Sequence, residues 1–459
     1  MPASTNVNGI PRSVALHYAV APMEVIGDLV SLVAAEPLSS SARAEIEQLT
    51  RVRVGVVTVA PEVFRTQLVR LYGIGAAAIA AEDAPGSEGE SVLPPDAGVV
   101  RFVDELIAEA GRRRATDLHV EPSLDCLGIR LRIDGLLQPV PAPHDLAKHG
   151  RRIAARVKVM AGLDPTPSMI PREGRIRTDG RDLRISVLPT PHGEAVHVRF
   201  LPSPTEFPVL QDLGISPEAR EILGDVMRVR SGLLVACGPT GSGKSTTLHV
   251  LLRTGVPSTE KIITVEDPVE IQIPGAVQVE VGPQLSFAQA LRAVLRHDPD
   301  VILVGEMRDA ESARIAMQAA LTGHLVLTSL HTDDEAQAVT RLNQLGMERE
   351  LLAAALRALI AQRLVRRRCD SCTGVTVSRD VRCPACGGSG YHGRIGIFRV
   401  TRVKEELRTA IRRGASEDEL RRRIESTGAA SLETQARCMI EDGVTTNAEL
   451  ARVMGVPTA

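Results

Sequence analysis

The stretch "GLLVACGPTGSGKSTTLHV", residues 232–250, decides the fold. It opens on an apolar run, Leu233 to Cys237, turns through a glycine-rich loop, and continues with helical spacing. The loop carries G-x-x-x-x-G-K-S as Gly238, Gly243, Lys244 and Ser245. Glycines let backbone N–H groups converge on phosphate oxygens, and the helix N-terminus adds partial positive charge. Lys244 supplies a cation to the outer phosphates, and the Ser245 hydroxyl can ligate magnesium. Pro239, Thr240, Gly241, Ser242 and Thr246 fall within the same cradle. An ordinary glycine turn before a helix is the bland alternative. Here strand, loop, Lys-Ser and helix stand in the order that phosphate binding requires.

Working outward, "KIITVED", "DVILVGE" and "HLVLTSL" repeat the buried apolar run, separated by helical segments. Such runs indicate an α/β fold with a parallel, helix-flanked sheet. Glu266 ends one run and Glu306 another, so both fall on the carboxyl edge, where ligands bind in such folds. Either could simply cap a loop or pair with Arg308. Together they suit a division of labour, one orienting an attacking water and the other holding magnesium through its waters. His324 and His331 flank the run Leu325–Leu330. A lone core histidine is usually structural; two flanking one strand of this sheet fit sensing of the outer phosphate.

The chain has 459 residues, enough for on the order of two to four domains. Apolar residues make up 44% and charged residues 24%, ordinary for a globular protein. Three Tyr, six Phe and no Trp leave a core of Leu, Val, Ile and Ala, with few rings for stacking bases. Lys plus Arg total 54 against 56 acids, so the net charge of −2 offers no global attraction to nucleic acid. No run of about 18 apolar residues suggests a bilayer span. The start lacks a basic segment followed by an apolar core, so a cytoplasmic location is expected.

Residues 1–80 read as a small α/β module, with helices in "ARAEIEQLT" and "PEVFRTQLVRLYG" and a strand in "RVRVGVVTV". Residues 81–98 are rich in Pro, Gly, Ser and acid and read as a flexible linker. A second α/β region covers 99–205, and "LPSPTEFPVLQDLGISP", 201–217, is a hinge-like connection. The phosphate-binding domain is expected over 206–459, with a Cys/Gly-rich insert at 369–396 and polar-faced helices after it.

Cys369, Cys372, Cys383 and Cys386 form C-x2-C-x10-C-x2-C. Two such knuckles can set four thiolates tetrahedrally around zinc, and four Cys leave no open position for water, so the zinc is structural. Cys126, Cys237 and Cys438 read as plain core residues. "HVE" at 119–121 with a later C-x-x-C superficially matches a zinc deaminase signature. Residue 382 is Arg rather than the Pro of that signature, and the cysteines come in two pairs, which excludes it.

"RDLRISVL-PTPH-GEAVHVRF", 181–200, reads as a hairpin. Pairing Ile185 with Val198 and Val187 with Val196 puts Arg184 opposite Arg199. Like charges facing each other on a sheet are destabilising unless an anion lies between them.

The boxes "GPTGSGKST", "TVEDPVE", "ILVGEMRD" and "TGHLVLTSLHT" stand in the order of the secretion ATPase superfamily, which the chain resembles. With "ATDLHVEP", "RLRIDGLLQ", "ALIAQRLVRRRC" and "CPACGGSGYHGRIGIF", it is similar to type II secretion and type IV pilus assembly ATPases over about 99–440. The resemblance implies a RecA-like P-loop ATPase domain behind a PAS-like domain and a small N-terminal partner-docking module. It implies Glu266 as general base, and Glu306 as organiser of magnesium and water. It makes Lys244, Ser245 and Thr246 the phosphate and metal residues, His324 and His331 a histidine box, and Arg184 and Arg199 arginine fingers. ATP, magnesium and zinc are the implied cofactors. A homohexamer is implied, peripheral at the inner membrane, working on a platform protein and a membrane-associated docking protein without nucleic acid. A helicase-like motor and a non-hydrolysing docking protein are the competing readings. Aromatic poverty argues against the first and the complete phosphate-contacting set against the second.

Overall fold

The computed structural model describes residues 6–7, 9–76, 78–79, 97–143, 146–178, 181–202, 207–374 and 383–455. It divides into two compact units, 1–201 and 202–459. The expected linker 81–98 lies outside the described residues except for its last two, which already begin a helix. Four residues of the hinge-like connection, 203–206, also lie outside them.

In the first unit, strands Val20–Ile26, Leu29–Ala34 and Arg53–Thr58 form a three-stranded sheet. Helix Ser40–Thr50 starts where Ser39 accepts a hydrogen bond from the Ala42 N–H, and helix Pro61–Tyr72 starts on a proline whose missing N–H costs nothing there. Ile46, Leu32 and Tyr72 fill this small core. The end of the module does not stay separate. Val69, Ile74, Ala78 and Ile79 join the core of the next region, beside Val99 and Phe102, and the Ile74 N–H donates to Pro141 O at 3.0 Å.

That next region is a six-stranded sheet in the order Leu136–Pro139, Leu127–Ile133, Ala115–Pro122, Gly193–Phe200, Arg181–Thr190, Arg172–Thr178. Every neighbour is antiparallel. Side chains alternate along such strands, so Leu118, Val120, Ile185, Val187, Val196 and Val198 share one face. They pack with Phe102 and Leu106 of helix Ala97–Arg112 and with Ile153 and Val157 of helix Gly150–Met160. Arg184 and Arg199 sit on the other face, in the expected register.

The second unit holds a seven-stranded sheet. Its order is Val277–Glu280, Ile262–Glu266, Val301–Val304, Leu325–Leu330, Gly232–Cys237, Leu356–Arg368, Tyr391–Arg402. Neighbours are parallel through the first six, and the last pair is antiparallel. Both faces are covered: Leu233, Val235 and Cys237 enter one core, Leu234 and Ala236 the other. The last two strands correct the sequence reading. The cysteine insert spans 369–390 rather than 369–396, because residues from Tyr391 onward already form a long strand. The apolar pattern of Leu356–Arg368 is interrupted by Arg363, Arg366 and Arg368, which hid it as a strand.

Candidate active site

The strand Gly232–Cys237 is fully buried and delivers the chain to the loop 238–243 at the carboxyl edge of the sheet. Two glycines there are dictated by packing. A Cβ on Gly238 would lie 2.6 Å from Gln362 O, and one on Gly243 would lie 2.7 Å from Gln362 Nε2. The loop therefore rests on the neighbouring strand Leu356–Arg368. Lys244 Nζ donates to the Gly238 and Pro239 carbonyls at 2.8 and 2.9 Å. Burial pushes its ammonium down to about 8. The Ser242 hydroxyl is buried without a protein partner among the described residues, which fits a loop built to close around an anion. Pro239, Thr240, Gly241 and Ser245 remain exposed, and Thr246 is half-buried.

Glu306 follows the strand Val301–Val304 and stays half-buried. The Gly305 carbonyl accepts from Ser329 Oγ at 2.6 Å, which fixes the turn. Glu306 pairs with Arg308 and lies 3.3 Å from His331 Nε2. His331 Nδ1 in turn lies 3.4 Å from Lys244 Nζ and 3.5 Å from Thr240 Oγ1. Arg308 also reaches Asp267 at 3.0 Å. Lys244, His331 and Glu306 thus converge at one edge of the sheet.

Glu266 occupies the same edge but is buried, with both carboxylate oxygens engaged. Oε1 accepts from Thr264 Oγ1 at 2.6 Å and Gln278 Nε2 at 3.1 Å, and Oε2 lies 2.9 Å from His249 Nε2. Burial alone would raise its pKa, but these bonds, led by His249, outweigh it and hold the carboxyl below its usual range.

His324 does not join this group within the chain. It precedes the strand Leu325–Leu330, and its carbonyl accepts from the Gly232 N–H at 3.1 Å, at the amino edge of the sheet. A six-residue strand spans about 20 Å, so His324 and His331 lie at opposite ends of it. Sequence spacing places both histidines beside the strand but not at the same end.

The arginine pair has its expected register, but the like-charge argument loses force. Arg184 Nη2 donates to Glu173 at 3.0 Å and Arg199 Nε to Asp117 at 3.0 Å, so the two cations meet different carboxylates, and Asp117 is shared with Arg132 at 3.5 Å. Asp117 is buried and also meets His197 Nε2 at 2.9 Å and Thr116 Oγ1 at 2.9 Å. Burial opposes its ionisation, yet these donors hold it well below the usual carboxylate range. His119 stacks on His197 with ring centroids 4.6 Å apart, and Glu121 forks with Arg130 at 2.6 Å.

At the tip of the last two strands the four Cys Sγ atoms lie within 4.8 Å of one another. Cys369–Cys383 and Cys372–Cys386 are 3.8 and 3.7 Å apart. A tetrahedron with metal–sulfur bonds of about 2.3 Å has edges of about 3.8 Å, so the donor set fits zinc. Burial and neighbouring thiols push Cys372 up to about 12. For Cys386, burial is outweighed by the Gly390 and Gly388 backbone bonds, which bring it down to about 7. Residues 375–382 of the spacer lie outside the described residues. Of the three remaining cysteines only Cys237 is in the core; Cys126 and Cys438 are exposed, the first in a turn between strands and the second on a surface helix.

A family model described as "Type II/IV secretion system protein" matches residues 94–452. The chain belongs to that family. A second model, the MshEN domain, matches residues 1–78. The type II secretion system protein HxcR of Pseudomonas aeruginosa is 43% identical over 365 residues, 78% of this chain and 77% of the relative. The type IV pilus assembly ATPase PilB of Thermus thermophilus is 36% identical over 485 residues, 97% of this chain but 54% of that longer protein. Among solved structures, the Legionella pneumophila ATPase DotB aligns over 79% of this chain and 96% of its own, with TM-score 0.57 and 21% identity, a likeness of fold.

In this type II/IV secretion system family member, sequence reasoning missed three residues that hold the candidate side chains: His249 and Gln278, which hold Glu266, and Asp117, which holds Arg199 within its own unit. His249 sits four residues after Ser245, on the turn above it. A histidine inside the apolar run "TTLHVLL" was the available signal. Gln278 and Asp117 lie in strands where nothing in the pattern marks them.

Proposed function

We propose that the chain is an ATP-hydrolysing motor that powers assembly of a type II secretion pseudopilus or a type IV pilus. One observation carries this reading: Lys244, His331 and Glu306 converge on the phosphate loop, in a chain related to a secretion system protein and a pilus assembly ATPase. The loop amides and Lys244 bind the phosphates. Glu266 takes the proton of the attacking water. His331, between Lys244 and Glu306, reads the outer phosphate, and His324 belongs to a second contact at the far edge of the sheet. Arg184 and Arg199 act as arginine fingers on the charge developing at the transferred phosphoryl group.

Magnesium, when bound, neutralises charge on the phosphate oxygens. The exposed Ser245 hydroxyl and the half-buried Glu306 carboxylate, both hard oxygen donors, are the residues that would hold it. Zinc, when bound by Cys369, Cys372, Cys383 and Cys386, ties the hairpin tip and does no chemistry. Among the described residues no helix is long and apolar enough to cross a membrane. The motor works as a homohexamer at the cytoplasmic face of the inner membrane, on a platform protein, with residues 1–80 docking on a membrane-associated partner.

The test is turnover by the purified chain. Glu266→Gln is expected to lower kcat by about 100-fold or more, while a fluorescent ATP analogue still binds. Unchanged turnover removes Glu266 from the mechanism. Stimulation of hydrolysis by single-stranded DNA would favour a nucleic-acid motor instead.

A further inference from the structure

His249 is absent from the mechanism above, yet it is almost fully buried and touches both halves of the site. It lies on the second turn of the P-loop helix Lys244–Gly255. Its Nδ1 is 2.6 Å from the Ser245 carbonyl oxygen, and its Nε2 is 2.9 Å from Glu266 Oε2. The Ser245 carbonyl and the ionised Glu266 carboxylate can only accept, so both ring nitrogens carry a hydrogen and the ring is an imidazolium.

The sheet order makes this bridge consequential. Two strands, Val301–Val304 and Leu325–Leu330, separate Ile262–Glu266 from the P-loop strand Gly232–Cys237. At about 4.8 Å per strand, the acidic box and the phosphate loop start about 14 Å apart. Backbone pairing fixes them only through those intermediates. The His249 ring bridges that gap and joins them directly.

The carboxylate itself has little freedom left. An ionised carboxylate offers about four acceptor positions. Thr264 and Gln278 occupy two on Oε1, and His249 occupies one on Oε2. The position that remains is on Oε2, the oxygen His249 holds.

We infer that His249 is a positioning residue: its imidazolium, donating from both ring nitrogens, clamps Oε2 of Glu266 to the first turn of the P-loop helix, so that the base and the phosphate cradle keep a fixed spacing. The inference rests on the reading of Glu266 as the general base. Proton abstraction is sensitive to placement, and a shift of about 1 Å can cost on the order of 100-fold in rate. A clamp of this kind acts on kcat rather than on nucleotide affinity, because the loop amides and Lys244 are untouched by it.

The two ring nitrogens can be tested separately. His249→Gln keeps an amide donor at the ε position, in reach of Glu266. His249→Asn keeps one at the δ position, in reach of the Ser245 carbonyl. His249→Leu keeps neither. Steady-state ATP hydrolysis, titration with a fluorescent ATP analogue and thermal melting are measured on the full chain for all three, with Glu266→Gln as comparator. His249→Gln is expected to keep kcat within about threefold of the parent. His249→Asn and His249→Leu are expected to lose about 30-fold or more in kcat, with KM and analogue affinity within about threefold.

Parent-like kcat in His249→Leu overturns the clamp, as does equal loss in the Gln and Leu variants. Retention in the Asn variant with loss in the Gln variant would assign the role to the Ser245 carbonyl alone and also overturn it. Loss that tracks the melting temperature, with KM rising in step, means plain packing and overturns it as well. Should Glu266→Gln turn over normally, the base assignment fails first and the clamp falls with it. A dead Glu266→Gln beside a fully active His249→Leu sinks the clamp alone.

Discussion

Gly243 shows how one position can be fixed by two independent constraints. Its φ of +88° lies in the left-handed region, which side-chain-bearing residues rarely adopt. A Cβ there would also press on Gln362 Nε2 at 2.7 Å. Gln362 cannot simply swing away, because its Oε1 accepts from Thr247 Oγ1 at 2.9 Å on the P-loop helix. Gly243→Ala is therefore expected to cost about 1–3 kcal/mol in stability, and to weaken ATP binding by about tenfold or more as the amide cradle opens. Thermal melting and titration with a fluorescent ATP analogue check both; parent-like affinity would mean that the loop adapts. At this scale the sequence was informative wherever chemistry forces a residue type into a fixed local pattern. Lys244, Ser245, Glu306 and His331 were legible because loop, strand end and residue type coincide. Glu266 was legible as a carboxylate but not as a buried one held by three donors. His249 was not legible, since a histidine in an apolar helix run looks like core until its partner three strands away is known.

Among elements, the antiparallel pair Leu356–Arg368 and Tyr391–Arg402 was the least readable. Its arginines break the apolar alternation, and only the folded chain shows what neutralises them. Glu449, fully buried on helix Asn447–Met454, accepts from the Arg366 backbone N–H at 3.0 Å and from Arg366 Nε and Nη2 at 2.9 and 2.8 Å. Arg452 pairs with the same carboxylate at 2.5 Å, and Arg366 lies 3.9 Å over the Tyr391 ring. One carboxylate thus pins the C-terminal helix to the hairpin that carries the four cysteines. Burial would raise its pKa, but the bonds from Arg452 and Arg366 outweigh it and bring it down to about 2. An unfolded glutamate titrates near about 4.3, so the folded value is depressed. The stability from this cluster is therefore fully present above about pH 4.5 and is lost as pH falls toward 2. Allowing for the partly exposed Arg452, it is worth about 2 kcal/mol. Glu449→Gln is expected to lower the melting temperature at pH 7 and to flatten part of the fall below pH 4.5. A variant whose acid profile superimposes on the parent's would remove Glu449 from the acid response. The four short parallel strands, by contrast, were legible as unbroken apolar runs, because a strand covered on both faces has no polar side to show.

Taken whole, the molecule carries the two proposed arginine fingers and the phosphate loop on different units. Arg184 and Arg199 belong to the unit 1–201, which has its own core, and Lys244 to the unit 202–459, with cores on both faces of its sheet. Arg199 meets Asp117 through Nε, so the two terminal nitrogens of its fork are not spent on that bond. Asp117 is buried while the Arg199 side chain is 52% exposed. An anchored, half-exposed guanidinium of this kind is what the proposed finger role requires of Arg199. Arg184 differs, since its partner Glu173 is itself 63% exposed and an exposed pair is worth little. If hydrolysis needs cations from outside the P-loop unit, the double variant Arg184→Ala with Arg199→Ala should lose about 1000-fold in kcat. ATP binding should stay within about threefold, since the loop is intact. Asp117→Asn keeps the Arg199 charge but replaces its anchoring carboxylate with a neutral amide, and should cost about tenfold. A coupled ADP-release assay on the assembled protein separates these outcomes. Full activity in the double variant would mean that the P-loop unit supplies all the charge it needs, and movement of the first unit would then have no chemical step to couple to. Full activity in Asp117→Asn alone would leave the fingers in place and show that the buried carboxylate serves the sheet rather than the reaction.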